Sequence, residues 1–311
     1  PFVFIGTRQH CSGLDLDDDD NLDEFPGDVY YIGEPGLGVT WTPLGLSCLG
    51  YYDVLAVGCQ PNFADEAKTF AVVSDDSETH VVYTAGGPCG FEEFAELLWD
   101  CETSFSSIFA SRIGFPDDWE DEETLFVGVV DCDYCDDCAD DCTPPCGGPG
   151  GDVYSVAEGD AYDLNIAGTI GGGCDGKYPV DIISLDVKGD TGDADLIAGA
   201  WCCNEVWYST DGGVEWDSCD KPPTGESMTY VIWYKDTALA ATFGDECAVS
   251  MSCGEEVGQY WNQISLIATD IDKVWYIDHS PGYLCGGSST LFMLTNWENE
   301  FCINCLECER E

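Results

Sequence analysis

Basic residues are nearly missing from this 311-residue chain: nine Lys and Arg stand against 61 Asp and Glu, for a formal net charge of −52. Such a polyanion repels phosphate backbones and anionic headgroups, so nucleic acid and anionic membrane surfaces are poor partners. No apolar run comes near the roughly 20 residues that span a bilayer. There is no Asn-x-Ser/Thr acceptor for N-glycosylation. Neither an initiator Met nor a signal-peptide core precedes Pro1, so a processed or trimmed start is expected. Only three histidines occur, His10, His80 and His279, each isolated, with core or surface placement as the expectation. No Gly-x-Ser-x-Gly elbow, P-loop or dinucleotide fingerprint appears.

What is present argues for a folded extracellular protein. Apolar residues make up 44% and aromatics 13%, more than a disordered acidic chain carries, so a substantial core can be buried. Twenty cysteines, an even number, point to a disulfide framework and an oxidising compartment. The expected location is therefore extracellular or at the cell surface. The acidic shell must be solvated or matched by cations, which leaves calcium, glycans and basic proteins as candidate partners.

The segment Ser209-Thr-Asp-Gly-Gly-Val-Glu-Trp216 lies between strand-like runs at 205–208 and 229–234. Its glycines suit the positive φ of a tight hairpin, Ser209 and Asp211 can bond the turn's own backbone, and Trp216 can anchor the loop. Looser copies end at Trp41, Phe91, Tyr162 and Trp261. Each follows a short strand-like run: Val29–Ile32, His80–Tyr83, Asp152–Ser155 and Ala248–Met251. A second element, Pro, an aromatic, a polar turn, then Thr and an apolar strand, recurs at 61–73, 116–128 and 281–293, with a Pro-less relative at 186–198. A period of about 50 residues built from short strands and Gly/Pro turns is a propeller signature.

The Ser-x-Asp-x-Gly-x-x-Trp pattern resembles the Asp-box of sialidase-like β-propellers. The resemblance implies an all-β propeller of about five blades, with 273–278 and 290–294 as inner strands and 28–48 as outer strands of one blade closed by both termini. Six blades or a pair of β-sandwiches are the alternatives. An α/β fold is disfavoured because Phe91–Trp99 is the single helix candidate. Residues 1–311 then form one domain, with a Cys/Asp/Gly-rich insertion at 131–151 and a Cys-rich tail at 296–311. The strand Phe2–Ile5 has no place in five blades, which implies a sixth, irregular blade or pairing with another molecule. Homo-oligomeric or filament-like self-association is the expectation.

Three groups of residues are candidate sites. Asp17, Asp19, Asn21, Asp23 and Asp28 fall at positions one, three, five, seven and twelve of a calcium loop, although Leu22 takes the usual glycine position; a solvated acidic turn is the alternative. Asp186, Asp190, Asp193 and Asp195 read as a solvated turn first and a calcium loop second. Cys132, Cys135, Cys138, Cys142 and Cys146, echoed by Cys302, Cys305 and Cys308, have ferredoxin-like spacing; a disulfide-stapled loop is preferred, then an iron–sulfur cluster, then zinc. The adjacent Cys202 and Cys203 are expected to join different partners.

A sialidase needs three arginines converging on a carboxylate, and only Arg8, Arg112 and Arg310 exist. Arg112-Ile113 is similar to that family's Arg-Ile-Pro segment, with Gly114 in place of the proline. These absences favour a secreted, non-catalytic structural or adhesive propeller, hence not an enzyme. A glycoside hydrolase on the same fold is the alternative and an iron–sulfur electron carrier the second.

Overall fold

The computed structural model describes residues 2–7, 27–33, 40–61, 63, 68–75, 78–85, 89–99, 103–104, 108, 110–131, 151–170, 180–201, 203–225, 227–243, 248–254, 257–266, 273–279, 291–297 and 300–303. The fold is all-β. A first antiparallel sheet holds β1 (Phe2–Gly6), β2 (Val29–Gly33) and β3 (Thr42–Pro43). A second holds β4 (Asp53–Cys59), β5 (Thr69–Ser74), β6 (Thr79–Thr84) and β7 (Phe91–Glu96). The short pair β8 (Leu98–Trp99) and β9 (Thr103–Ser104) follows.

The next sheet contains β10 (Ala110–Gly114), β11 (Leu125–Val130), β12 (Val153–Ala157) and β13 (Asp160–Asp163). It is succeeded by β14 (Ile182–Lys188), β15 (Asp195–Ala200), β16 (Val206–Ser209) and β17 (Asp217–Ser218). Then come β18 (Ser227–Tyr234), β19 (Thr237–Phe243), β20 (Ala248–Cys253) and β21 (Asn262–Leu266). The last sheet is β22 (Lys273–His279), β23 (Leu291–Trp297) and β24 (Glu300–Ile303). Strand order follows chain order in every sheet, and every pairing within them is antiparallel.

The first strands β4, β10, β14, β18 and β22 pack against one another in series. This is the centre of a β-propeller. Burial peaks in the second strand of a sheet and is least in the outermost for a geometric reason: middle strands have neighbouring sheets on both faces, whereas outer strands meet water. All six residues of β5 and all six of β11 are buried, while β13 and β17 are largely exposed. Gly128 in β11 marks the closeness of the sheets, since a Cβ there would stand 2.6 Å from Ile182 of the following sheet. Phe70 packs edge to face with Phe94, Phe115 and Trp119, and Phe115 with Trp119, at centroid distances of 5.1–5.6 Å.

Five sheets supply the serial first strands, and β1–β2–β3 is a sixth sheet beside β4. These six sheets, the six-blade form of the expectation, hold every strand among the described residues except the short pair β8–β9. The terminal strand is not left over: β1 pairs with β2 along its length, Phe2 opposite Gly33 through Gly6 opposite Val29.

The helix expected over Phe91–Trp99 is absent, and β7 and β8 occupy that stretch. A bulge between Val81 and Val82 of β6 places Phe94 as an extra residue between Glu93 and Ala95. Phe91 packs with Val73 and Val82 on one face and Phe94 with Phe70 and Trp119 on the other, so burial on both faces of one strand gives a spacing of three that mimics a helical face in sequence. The short helices among the described residues are α1 (Trp119–Glu122) and α2 (Ile166–Ile170). Among those residues, no helix is long and apolar enough to cross a membrane.

The insertion has a defined neck although residues 132–150 lie outside the described residues. Asp181 Oδ1 accepts the amide of Asp131 at 3.0 Å and that of Gly151 at 2.9 Å, so one buried carboxylate holds both ends. A disulfide joins Cys48, after β3, to Cys89, before β7, linking the first two sheets across a sequence separation of 41. Cys203 is also disulfide-bonded. Cys59, Cys219 and Cys253 are free thiols.

Candidate functional site

The Ser209–Trp216 segment is the loop between β16 and β17. Ser209 Oγ lies 2.8 Å from Asp211 Oδ1 and accepts the Gly213 amide at 3.0 Å. Asp211 Oδ1 also accepts the amides of Val214 and Glu215 at 3.0 Å each. Gly212 and Gly213 take φ of 71° and 90°, where a Cβ would strain the turn. Trp216 is 2% exposed, against Leu196, Ile166 and their neighbours. These groups hold a turn.

The looser copies divide. In the copy ending at Trp261, the Gly258 amide donates to Ser252 Oγ at 2.9 Å and Trp261 is buried. Phe91 is buried as well. Trp41 and Tyr162 are 38% and 62% exposed and anchor nothing. Another repeat carries the load in their sheets. In Gly27-Asp28-Val29-Tyr30 and Gly151-Asp152-Val153-Tyr154, the aspartate bridges the start of one strand to a distant loop. Asp28 Oδ1 accepts the amides of Val29 at 2.7 Å and Leu46 at 2.9 Å. Asp152 Oδ1 accepts those of Val153 at 2.7 Å and Ile166 at 3.1 Å. Asp28, grouped in sequence with a calcium loop, is thus buried in a structural cap. Asp17, Asp19, Asn21 and Asp23 lie outside the described residues, as do Cys132, Cys135, Cys138, Cys142, Cys146, Cys305 and Cys308. Cys302 belongs to β24.

Asp186, Asp190, Asp193 and Asp195 do not converge. Asp186 lies within β14, Asp190 and Asp193 are exposed in the hairpin turn, and Asp195 opens β15. Among the described residues no group of three or more His, Cys, Asp or Glu is placed to hold a metal ion.

The site that the fold does build lies on the axis. A cavity of about 220 Å3 is enclosed by residues of all five first strands. Arg112, Ser184 and Asp186 are its polar members; Ile113, Val231 and Ile277 are among its aliphatic walls. Among the described residues β14 and β18 are not paired main chain to main chain, and side chains bridge them. Ser184 Oγ accepts the Val231 amide at 2.9 Å and donates to the Val231 carbonyl at 3.1 Å. Asp186 Oδ2 accepts the Trp233 amide at 2.6 Å. Tyr230 is buried beside this wall; burial pushes its hydroxyl up to about 12, and the charge of Arg112 opposes that rise. Arg8 and Arg310 lie outside the described residues.

No protein-family model and no curated protein matches this chain. Solved structures do share its fold. Sqt1 of Saccharomyces cerevisiae matches with a TM-score of 0.51 at 11% identity, over 97% of this chain and 67% of that one. A glucose dehydrogenase matches with a TM-score of 0.50 at 11% identity, over 89% of this chain and 92% of that one. The PQQ-bound form of an aldose sugar dehydrogenase from Streptomyces coelicolor matches with a TM-score of 0.49 at 12% identity, over 89% and 86%. At such identities the likeness is one of fold, the propeller. It corrects the expectation that the chain is not an enzyme. That expectation rested on missing sequence motifs, and a glucose dehydrogenase is among the proteins sharing this architecture.

Proposed function

We propose that this chain is an extracellular adhesive propeller that holds a carbohydrate unit in its central cavity. The axial cavity carries the reading. At about 220 Å3 it is smaller than the roughly 300–1,000 Å3 of drug-sized sites and suits a single sugar ring. Guanidinium donors on Arg112 and oxygen acceptors on Ser184 and Asp186 suit hydroxyl groups, while Ile113, Val231 and Ile277 suit the C–H face of a ring. An extracellular setting is supported by the Cys48–Cys89 disulfide and the total of 20 cysteines.

Adhesion here includes self-association, with calcium as the cation for the acidic stretch 17–23. The test is a panel of mono- and oligosaccharides titrated calorimetrically into wild type and Arg112→Met. Binding by wild type that falls at least about tenfold in the variant supports the reading, an effect within that of charge-assisted hydrogen bonds. Equal affinities, or no ligand in the panel, would overturn it. Mass spectrometry of the same samples shows whether the bound sugar is oxidised or hydrolysed. Light scattering with and without calcium tests assembly, and a monomer under both conditions removes that part.

A further inference from the structure

A second concavity lies away from the axis, between the sheets β14–β17 and β18–β21. It is a groove of about 380 Å3 whose lining includes Lys188, Asp195, Tyr208, Trp233, Asp236 and Val257. Its aromatic wall is held in place. The Trp233 indole N–H donates to the Asp195 carbonyl at 3.2 Å, its backbone amide is taken by Asp186, and the ring packs with Tyr208 and Val257 against buried Val231 and Trp261. One ring therefore stands fixed at a rim that carries two carboxylates.

Lys188 displays the chemistry this arrangement recognises. Its ammonium sits 5.3 Å over the Trp233 ring and 3.1 Å from the Asp236 carboxylate. The aromatic face and the carboxylate together make a cation seat. The pair is exchangeable, because the Asp236 side chain is 98% exposed and an ion pair in water is worth little. The surrounding field favours exchange with a cation from outside: a net charge of −52 draws basic segments toward the surface and speeds their encounter.

We propose that this groove docks a basic peptide segment of a partner protein, one of whose Lys or Arg side chains takes the seat between Trp233 and Asp236 that Lys188 occupies. Lys188 acts as an internal competitor, so the groove binds its partner less tightly than its rings and acids allow. The site is separate from the axial cavity, and its test does not depend on sugar binding.

The experiment is fluorescence anisotropy of a labelled octalysine peptide titrated with the full chain at low and physiological salt. Non-specific attraction to a polyanion is controlled by variants matched in charge. Trp233→Leu leaves the charge unchanged and is expected to weaken binding about threefold to tenfold, the range of a cation–π contact. Lys188→Met removes the competitor and is expected to tighten binding by a similar factor relative to Lys221→Met, which makes the same charge change at another exposed lysine. Lys188 is a surface residue, so this comparison stands even where Trp233→Leu fails to fold. Equal affinities for Lys188→Met and Lys221→Met, or a folded Trp233→Leu that binds like wild type, would overturn the proposal by showing attraction to bulk charge alone.

Discussion

Asp152 and Ile166 are joined by a hydrogen bond of 3.1 Å from the Ile166 amide to the Asp152 carboxylate, which ties the start of β12 to the first turn of α2. Asp28 holds Leu46 in the same way at 2.9 Å. Leu46 and Ile166 are both fully buried, so these bonds set the depth at which an apolar side chain enters the core. Asp152→Ala leaves two buried amides without their acceptor and is expected to cost about 1–3 kcal/mol in denaturant unfolding. Asp152→Asn keeps one oxygen acceptor and should cost less. A near-zero effect of Asp152→Ala would show that water satisfies those amides.

Trp216 and Tyr162 occupy similar places in the sequence pattern and opposite environments. Trp216→Ala should destabilise by roughly 3–5 kcal/mol, as expected for a large aromatic removed from a packed core. Tyr162→Ala should stay within about 0.5 kcal/mol, because the ring is mostly in water. Thermal melts of the two variants side by side are sufficient, and similar shifts would contradict the packing described.

Asp181 should make stability depend on pH with the opposite sign to an ordinary salt-bridged carboxylate. Burial raises its pKa above the usual 3.8, opposed by the amides of Asp131 and Gly151. The folded state therefore holds the proton more tightly than the unfolded state. This contribution is fully present below the unfolded value and is lost as pH rises through the folded one. Asp181→Asn keeps an oxygen for both amides and never ionises, so it should melt above wild type at pH 7, with the gap closing as pH drops below the ordinary carboxylate range. An unchanged gap across that range would rule the linkage out.

The three free thiols among the described residues should react in a defined order. Burial pushes the Cys59 and Cys219 thiols up to about 11, so little thiolate is present near pH 8. Cys253 is exposed at the end of β20. Iodoacetamide followed by peptide mass spectrometry should label Cys253 in the native protein, and Cys59 and Cys219 only after unfolding. Early labelling of Cys219 would mean that β17 opens readily.

Much of the architecture was legible because it is local. The turn chemistry of Ser209, Asp211, Gly212 and Gly213 depends on residues within one loop, and the strands at 195–200 and 229–234 appear as apolar runs. The Gly-Asp-Val-Tyr repeat at 27–30 and 151–154 was legible too, although an alignment on the aromatic anchors hides it, because Trp41 and Tyr162 are the wrong landmarks. The expected helix at Phe91–Trp99 failed for a physical reason: β7 is buried on both faces, Phe91 on one and Phe94 on the other, so a strand shows apolar residues three apart as a helix does. The axial cavity was the least legible feature. Arg112 is far in the chain from Ser184 and Asp186, and nothing in the local sequence marks them as neighbours.

By itself, the sequence determined what composition and short-range pattern control: an all-β chain with a solvated acidic surface, tight glycine turns and strands able to bury both faces. Only the tertiary structure decided what those strands enclose. Side chains on successive first strands meet because the sheets are arranged around one axis, which brings Arg112 and Asp186 to one cavity and sets Lys188 over Trp233 at the seam between two sheets. Both arrangements depend on how each sheet packs against the next, a relation between segments that no local pattern of residues encodes.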